Sequence, residues 1–243
     1  MSKMRKNHQK HKFYVTAMII ATVGLITAIV LMILNSLGCF NKTEDAGFVQ
    51  NSVLEQHHYE QLGYDLQLLG VGRYSGQFLE DGSNDLVSDV LMVEIQNTGD
   101  KDLRLAGLSL TYTDFTAEFE ITNLPAGKSV VVLEKNRRTY TAEEHLSVKL
   151  RDVVFFKENM DVFSDTFRLT GMNGAINVEN ISDTSISSDL YVYYKYISGD
   201  TLYGGITFRA KISGGLAPGE LRQISAAHFD PDQCVVMWIS GEQ

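Results

Sequence analysis

The residue types that carry chemistry are present in this sequence, but their spacing assembles no recognisable catalytic motif. No serine occupies a Gly-x-Ser-x-Gly elbow, and no ordered Ser/His/Asp set can be singled out. The pairs Gly204-Gly205 and Gly214-Gly215 do not precede a helical pattern, so they are not phosphate-binding loops. Paired carboxylates could hydrolyse glycosides, but no spacing points to one pair. We therefore predict no catalytic residues and rank an enzyme third among the functional interpretations.

The sequence gives equally little indication of a metal site, which would need histidine or cysteine side chains that converge at about 2.0–2.1 Å from an ion. His57-His58 are sequence neighbours whose side chains diverge on a strand or a helix. The stretch Glu80–Asp85 alternates acidic and hydroxyl side chains as a calcium loop does, but Leu86 and Met92 stand where an EF-hand has Gly and Glu. We predict a polar hairpin loop there, and no metal or cofactor, while irregular calcium binding by loops stays open.

The aromatic run Tyr191–Tyr196 is the one stretch that suggests a binding surface. On a strand, alternate side chains share a face, and one face here comprises Tyr191, Tyr193 and Lys195. The other face comprises Val192, Tyr194 and Tyr196. Only one face can point into a core, and tyrosine suits contacts with protein or carbohydrate. We therefore predict a partner-binding surface at Tyr191, Tyr193 and Lys195, with ordinary sheet packing as the alternative.

The chain that must position this strand begins with a membrane segment. Residues 13–34 contain no charged side chain, and as a helix rising ~1.5 Å per residue they would cross a ~30 Å hydrocarbon core. Residues 1–12 contain five of the 21 basic residues and none of the 30 acidic ones. The positive-inside rule then predicts a cytoplasmic N-terminus and a chain that lies outside from about residue 35.

The remainder of the chain is more acidic than the overall net charge of −9 indicates, because the basic stub is counted in that value. Such a surface is a poor match for a nucleic-acid backbone, so we exclude nucleic acid as a partner. The predicted partners are the lipid bilayer and other membrane or cell-surface proteins.

The chain has two cysteines, Cys39 and Cys234, which we predict to be unpaired because disulfide-stapled exported domains usually have more. A cleaved signal peptide is disfavoured, because the apolar stretch is long for one. Ser36–Cys39 resembles a lipobox, although Ser36 departs from the aliphatic residue of that pattern. A lipoprotein anchored at Cys39 is therefore the minor alternative to a single-pass signal anchor.

Residues 35–62 are predicted to form a stalk, with a short helix from about Gly47 to Gln61 on loosely helical apolar spacing. From Tyr64 onward the pattern has a period of two, in short runs rich in Val, Ile, Thr, Tyr and Phe that are separated by turn residues. Such runs at intervals of about 8–14 residues, without a long helical pattern, predict a β-sandwich architecture.

An internal repeat divides this region into residues 63–160 and residues 161–243. Each half has a strand that ends in Asn, a β-branched residue, a small residue and Asp, at Asn97–Asp100 and at Asn180–Asp183. Each half later has a Leu-Pro-Ala-Gly or Leu-Ala-Pro-Gly turn, at Leu124–Gly127 and Leu216–Gly219. Asn and Asp bond to their own backbone and so end strands, and the Pro-Gly pairing makes a tight reversal.

The order Asn-[Thr/Ile]-[Gly/Ser], an alternating aromatic strand and a Leu-x-Pro-Gly turn resembles bacterial immunoglobulin-like modules of the FxLYD and CARDB type. The first half departs from the pattern, because its Pro is displaced by one residue. The resemblance implies surface or envelope modules that bind partners or act as spacers, with no shared catalytic residues.

The predicted architecture is mainly β, with one N-terminal transmembrane helix followed by two tandem immunoglobulin-like β-sandwich domains. We expect a membrane-anchored extracytoplasmic binding or scaffold protein without catalytic activity. The alternative is an envelope sensor or an assembly subunit that partners other membrane proteins.

Overall fold

β-Strands form all the regular secondary structure in the described part of the chain. The computed structural model describes residues 50–83 and 85–241. The strands of the first half are β1 (Gln50–Gly63), β2 (Leu66–Gln77), β3 (Leu86–Asn97), β4 (Leu103–Thr111), β5 (Thr116–Leu124), β6 (Ser129–Leu133) and β7 (Ser147–Phe155). Those of the second half are β8 (Phe167–Met172), β9 (Ala175–Asn180), β10 (Leu190–Ser198), β11 (Thr201–Ile212), β12 (Leu221–Ser225) and β13 (Cys234–Gly241). The prediction of a mainly-β protein is confirmed.

The strands form one large sheet and two small ones. The central sheet has seven strands in the order β1-β2-β3-β6-β11-β10-β13. The first outer sheet has the order β5-β4-β7, and the second outer sheet has the order β12-β9-β8. The strand orders show the internal repeat, because β2-β3-β6 corresponds to β8-β9-β12 and β5-β4-β7 corresponds to β11-β10-β13.

The central sheet contains strands from both halves of the chain. Ser129–Val131 of β6 pair in parallel with Thr201–Tyr203 of β11, and this ladder joins the halves. The described residues accordingly cluster as one compact unit. The two predicted sandwich halves therefore share one sheet. Pairing between strands so distant in sequence leaves no local pattern from which it could be predicted.

The two outer sheets pack on opposite faces of the central sheet. Val130 and Val132 of β6 lie in one hydrophobic cluster with Leu108 and Phe119 of the first outer sheet. The intervening Val131 and Leu133 lie in the other cluster, with Ile176 and Val178 of the second outer sheet. Because alternate residues of a strand point to opposite faces, the protein has three layers and two cores.

The repeated asparagines brace both halves in the same way. The Asn97 side chain is fully buried, and its Nδ2 donates to the carbonyl oxygens of Lys101 at 2.8 Å and of Leu124 at 3.2 Å. Its Oδ1 accepts from the backbone N–H of Gly99 at 3.1 Å. The end of β3 is thereby fixed to the turn that starts β6.

The buried Asn180 repeats this brace in the second half. Its Nδ2 donates to the carbonyl oxygens of Thr184 at 2.8 Å and of Leu216 at 3.1 Å, and its Oδ1 accepts from the Ser182 N–H at 3.0 Å. Both Pro-Gly turns close onto these residues, because Gly127 and Gly219 donate their backbone N–H to the carbonyls of Asn97 and Asn180 at 2.8 Å. The repeated motif is therefore a structural brace.

The N-terminal predictions have a mixed outcome. The short helix expected from about Gly47 to Gln61 is wrong over its described residues, because Gln50–Gly63 form β1 and pair with β2. Two of the half-buried positions of β1, Ser52 and Gln56, are polar and only Leu54 between them is apolar, which weakened the strand alternation. The predicted membrane helix at residues 13–34 and the basic stub lie outside the described residues, as does Cys39. Within the described ranges, no helix is long and apolar enough to cross a membrane.

Candidate functional site

Strand β10 presents its aromatic residues with the predicted alternation over its first half. Val192 and Tyr194 are 0% and 2% exposed, and they pack in the core under the second outer sheet. Tyr191 and Tyr193 are half-buried on the opposite face. Two of the three predicted site residues therefore retain partly accessible side chains on one sheet face.

A ring stack extends this face from β10 to β13. Tyr193 is directly opposite Trp238 in the antiparallel ladder. The two rings stack with centroids 4.4 Å apart and an interplanar angle of 17°. Phe156, just after β7, meets Trp238 edge to face at 5.2 Å and 73°. These contacts fix the orientation of Tyr193, and they cover one face of each stacked ring.

Cationic side chains border the other tyrosine. Tyr191 lies opposite Lys211 of β11, and the guanidinium carbon of Arg209 lies 5.2 Å from the centre of its ring. The Lys211 ammonium lies 5.5 Å from the same ring centre and 2.5 Å from Asp189. The hydrogen bond from Lys211, aided by the Gly214 N–H, lowers the pKa of the Asp189 carboxyl. We call the surface formed by Tyr191, Tyr193, Arg209, Lys211 and Trp238 the aromatic–basic face.

Lys195 does not belong to this face, so its predicted exposure is wrong. Its side chain is 1% exposed, and its Nζ donates to the carbonyl oxygens of Gly204 at 2.7 Å and Gly205 at 2.9 Å. The β10–β11 register jumps there, since Tyr194 pairs with Phe208 but Tyr196 pairs with Tyr203. The extra residues of β11 supply the carbonyls that Lys195 binds.

Glu80 binds the same β11 segment from the other half of the chain. Its carboxylate accepts from the Gly205 N–H at 2.9 Å and from the Leu133 N–H at 2.9 Å. Lys195 thus holds the carbonyl of Gly205 while Glu80 holds its N–H. We call Lys195, Gly204, Gly205 and Glu80 the junction network, because it connects the β2–β3 loop and β6 with β10 and β11.

Burial shifts the pKa values of both charged members of the junction network. Burial raises the pKa of Glu80 above its ordinary value, against the opposing effects of its backbone N–H donors and of Lys195. Burial lowers the pKa of Lys195 to about 7, and the Glu80 carboxylate opposes that shift. Each shift disfavours the charged form, as expected where water is excluded.

Only glycine fits at the centre of the junction network. A Cβ atom on Gly205 would lie 1.8 Å from the carbonyl oxygen of Glu120 in β5. Gly204 has a φ of +86°, which side chains disfavour. Beside them the equivalent threonines of the repeat meet, with Thr122 Oγ1 and Thr207 Oγ1 2.9 Å apart. The Gly-Gly pair therefore allows the two halves to approach closely.

An arginine from the connection after β6 lies against the carboxylates of the Glu80–Asp85 loop. Arg137 Nη2 lies 2.7 Å from Asp81 Oδ2 and 2.9 Å from Asp85 Oδ2. The same guanidinium lies over the Phe78 ring, 4.4 Å from its centre. The loop is a polar hairpin connection between β2 and β3, as its composition predicts, and the guanidinium occupies the position between its carboxylates.

The remaining candidate ligands are dispersed. His57 is exposed on β1, and His145 Nε2 lies 3.6 Å from Glu60. His228 stacks on Phe208 with ring centroids 4.6 Å apart. Cys234 is a free, buried thiol whose pKa burial raises to about 11, so it is a poor nucleophile. Within residues 50–83 and 85–241, no three His, Cys, Asp or Glu side chains form a metal-binding group.

Several residues of the aromatic–basic face and of the junction network could not be identified from the sequence. Trp238 is the single tryptophan of the chain, which was a usable signal, but its cross-strand partner depends on strand order. Arg209 and Lys211 lie on one face by strand alternation, yet nothing in the sequence aligns them with Tyr191. Glu80 is separated from Lys195 by more than a hundred residues, so their proximity is a product of the tertiary fold.

Comparison with known proteins adds no identification. No protein-family model, no curated protein and no solved structure matches this chain.

Proposed function

We propose that this protein is a membrane-anchored binding or scaffold protein without catalytic activity, whose double sandwich lies outside the membrane. Residues 13–34 would be the single membrane span, with the N-terminus in the cytoplasm. The proposal retains the immunoglobulin-like assignment of each half, on the strand orders and the repeated Asn and Pro-Gly motifs.

The observation that carries the proposal is the shared central sheet. A sheet that continues from β1 through β6 and β11 to β13 leaves the two halves little freedom to rotate relative to each other. Linked domains with small, polar interfaces are expected to move instead. A rigid body that keeps a partly exposed aromatic sheet face is suited to presenting a surface at a fixed geometry.

The experiment that tests this proposal combines alkaline carbonate extraction of membranes with protease treatment of intact cells. The full chain should stay in the membrane after extraction, and its C-terminal body should be digested from outside. A variant with Lys3, Arg5, Lys6, Lys10 and Lys12 all changed to Gln serves as the orientation control, because the positive-inside rule predicts a loss of uniform topology. Release by carbonate, or complete protection of the body in intact cells, would contradict the proposal.

A further inference from the structure

We propose that the aromatic–basic face binds a protein partner that presents carboxylate side chains. This inference rests on the proposed function, since it names the partner surface of the body. Its evidence is the arrangement of rings and cations on β10, β11 and β13.

The ring geometry favours a protein over a carbohydrate. Sugar rings stack on open aromatic faces, but Tyr193 and Trp238 cover one face of each other at 4.4 Å. Phe156 packs edge to face against Trp238 as well. The half-buried stack therefore offers ring edges and a tyrosine hydroxyl, the kind of rigid amphipathic contact that Tyr and Trp provide in protein interfaces.

The charges of the face define the chemistry of the partner. Arg209 and Lys211 are exposed, and both lie close to the Tyr191 ring. Asp189 neutralises Lys211 in part. Among the described residues no carboxylate forms an ion pair with Arg209, which leaves a guanidinium free to bind a carboxylate in bidentate geometry. The chain as a whole carries a net charge of −9. A positive patch on an otherwise acidic protein attracts an acidic partner to that patch, because the rest of the surface repels it.

One further group in the face lacks a partner. Trp238 Nε1 is shielded from solvent and has no hydrogen-bond acceptor within the described structure. A buried donor without an acceptor is unfavourable.

Tyr, Trp and Arg together are also the residue types that most often dominate binding energy at protein interfaces.

The test uses the full-length protein in detergent and three immobilised probes. The first probe is a set of short peptides in which aspartates flank a leucine, and the second is the same set with asparagine replacing each aspartate. The third probe is an array of neutral and acidic glycans. The acidic peptides should retain the protein, and retention should fall as salt is added because the charges are exposed.

Two pairs of variants localise the binding. Tyr193→Ala and Arg209→Gln should each weaken retention about tenfold or more, in the range of interface hot spots. The matched controls are Tyr59→Ala on β1, whose side chain is 75% exposed, and Arg168→Gln on the second outer sheet. Both controls should bind like the unmodified protein.

The outcomes separate this inference from the proposed function. Equal retention on the asparagine peptides, retention on glycans only, no retention on any acidic peptide, or equal losses in the controls would each overturn the inference. None of these results changes membrane extraction or protease accessibility, on which the proposed function depends.

Discussion

Replacing Lys195 by Met tests whether the junction network is a balanced pair of buried charges. The substitution keeps the length of the side chain but removes its ammonium group. It removes the Nζ donor from the carbonyl oxygens of Gly204 and Gly205, now bound at 2.7 and 2.9 Å, although Thr122 Oγ1 still donates to the Gly205 carbonyl at 2.8 Å. It also removes the cation whose field acts on Glu80.

The expected cost follows from these losses. Leaving a buried carbonyl oxygen without a donor costs about 1–3 kcal/mol, and losing a nearby opposite charge from a buried carboxyl group adds to that cost. Glu80 is only half-buried as a residue, and its carboxylate keeps two backbone N–H donors, so we expect about 3 kcal/mol for Lys195→Met. In the double variant Lys195→Met/Glu80→Gln no charge remains, and the Gln oxygen can still accept from the N–H of Gly205. The Nζ hydrogen bonds stay lost, but no uncompensated charge remains, so we expect the double variant to be less destabilised than the sum of the two single variants.

The assay is denaturant unfolding at neutral pH of both single variants and the double variant. A double-mutant cycle should give a coupling of at least about 2 kcal/mol between positions 80 and 195. Lys149→Met, an exposed lysine on β7, is the control and should change stability by less than about 0.5 kcal/mol. A loss below about 1 kcal/mol for Lys195→Met, or additive effects in the cycle, would refute the reasoning.

Three further predictions use the same unfolding measurements. The pKa of Lys195 is lowered to about 7 in the folded state, so between about pH 7 and pH 10.5 the unfolded chain binds a proton that the folded chain does not. The free energy of unfolding of the unmodified protein, relative to that of Lys195→Met, should therefore rise with pH over this range. A difference that does not change with pH would contradict this prediction. Asn97→Ala removes three side-chain hydrogen bonds and Asn180→Ala removes four, so each should cost about 3 kcal/mol or more, and a loss below about 1 kcal/mol at either position would mean that the asparagine does not brace its half. Tyr194→Ala should cost about 3–5 kcal/mol and Tyr191→Ala about 1 kcal/mol, and equal losses would place both side chains in a core.

Strand positions could be predicted because the outer part of the chain alternates polar and apolar residues within short runs. The valine-rich run at residues 129–133 forms β6, and the alternating aromatic run Tyr191–Tyr196 lies within β10. Prediction failed at β1, where two of the half-buried side chains, Ser52 and Gln56, are polar. In such a strand, pairing with the neighbouring strand decides the secondary structure, and the apolar periodicity of the sequence does not indicate it.

The candidate site was predictable to the extent that it depends on one strand. Alternation along β10 places Tyr191 and Tyr193 together, but it also places Lys195 with them. The structure separates Lys195 because β11 makes an excursion at Gly204 and Gly205, and because Glu80 arrives from the other half. A buried lysine requires partners from several segments, and no single segment of sequence contains that information.

The fusion of the two halves determines which face of β10 stays accessible. Pairing β6 with β11 removes one open edge from each half, and open edges are sites of unwanted strand pairing. The second outer sheet covers the face of β10 that bears Val192 and Tyr194. The first outer sheet packs on the opposite side, against β2, β3 and β6 and against residues at one end of β10, β11 and β13, namely Ile197, Leu202, Val235 and Met237. Tyr191 and Tyr193 lie toward the other end of β10 and belong to neither hydrophobic cluster, so a partner at this position would extend the layer that the first outer sheet forms.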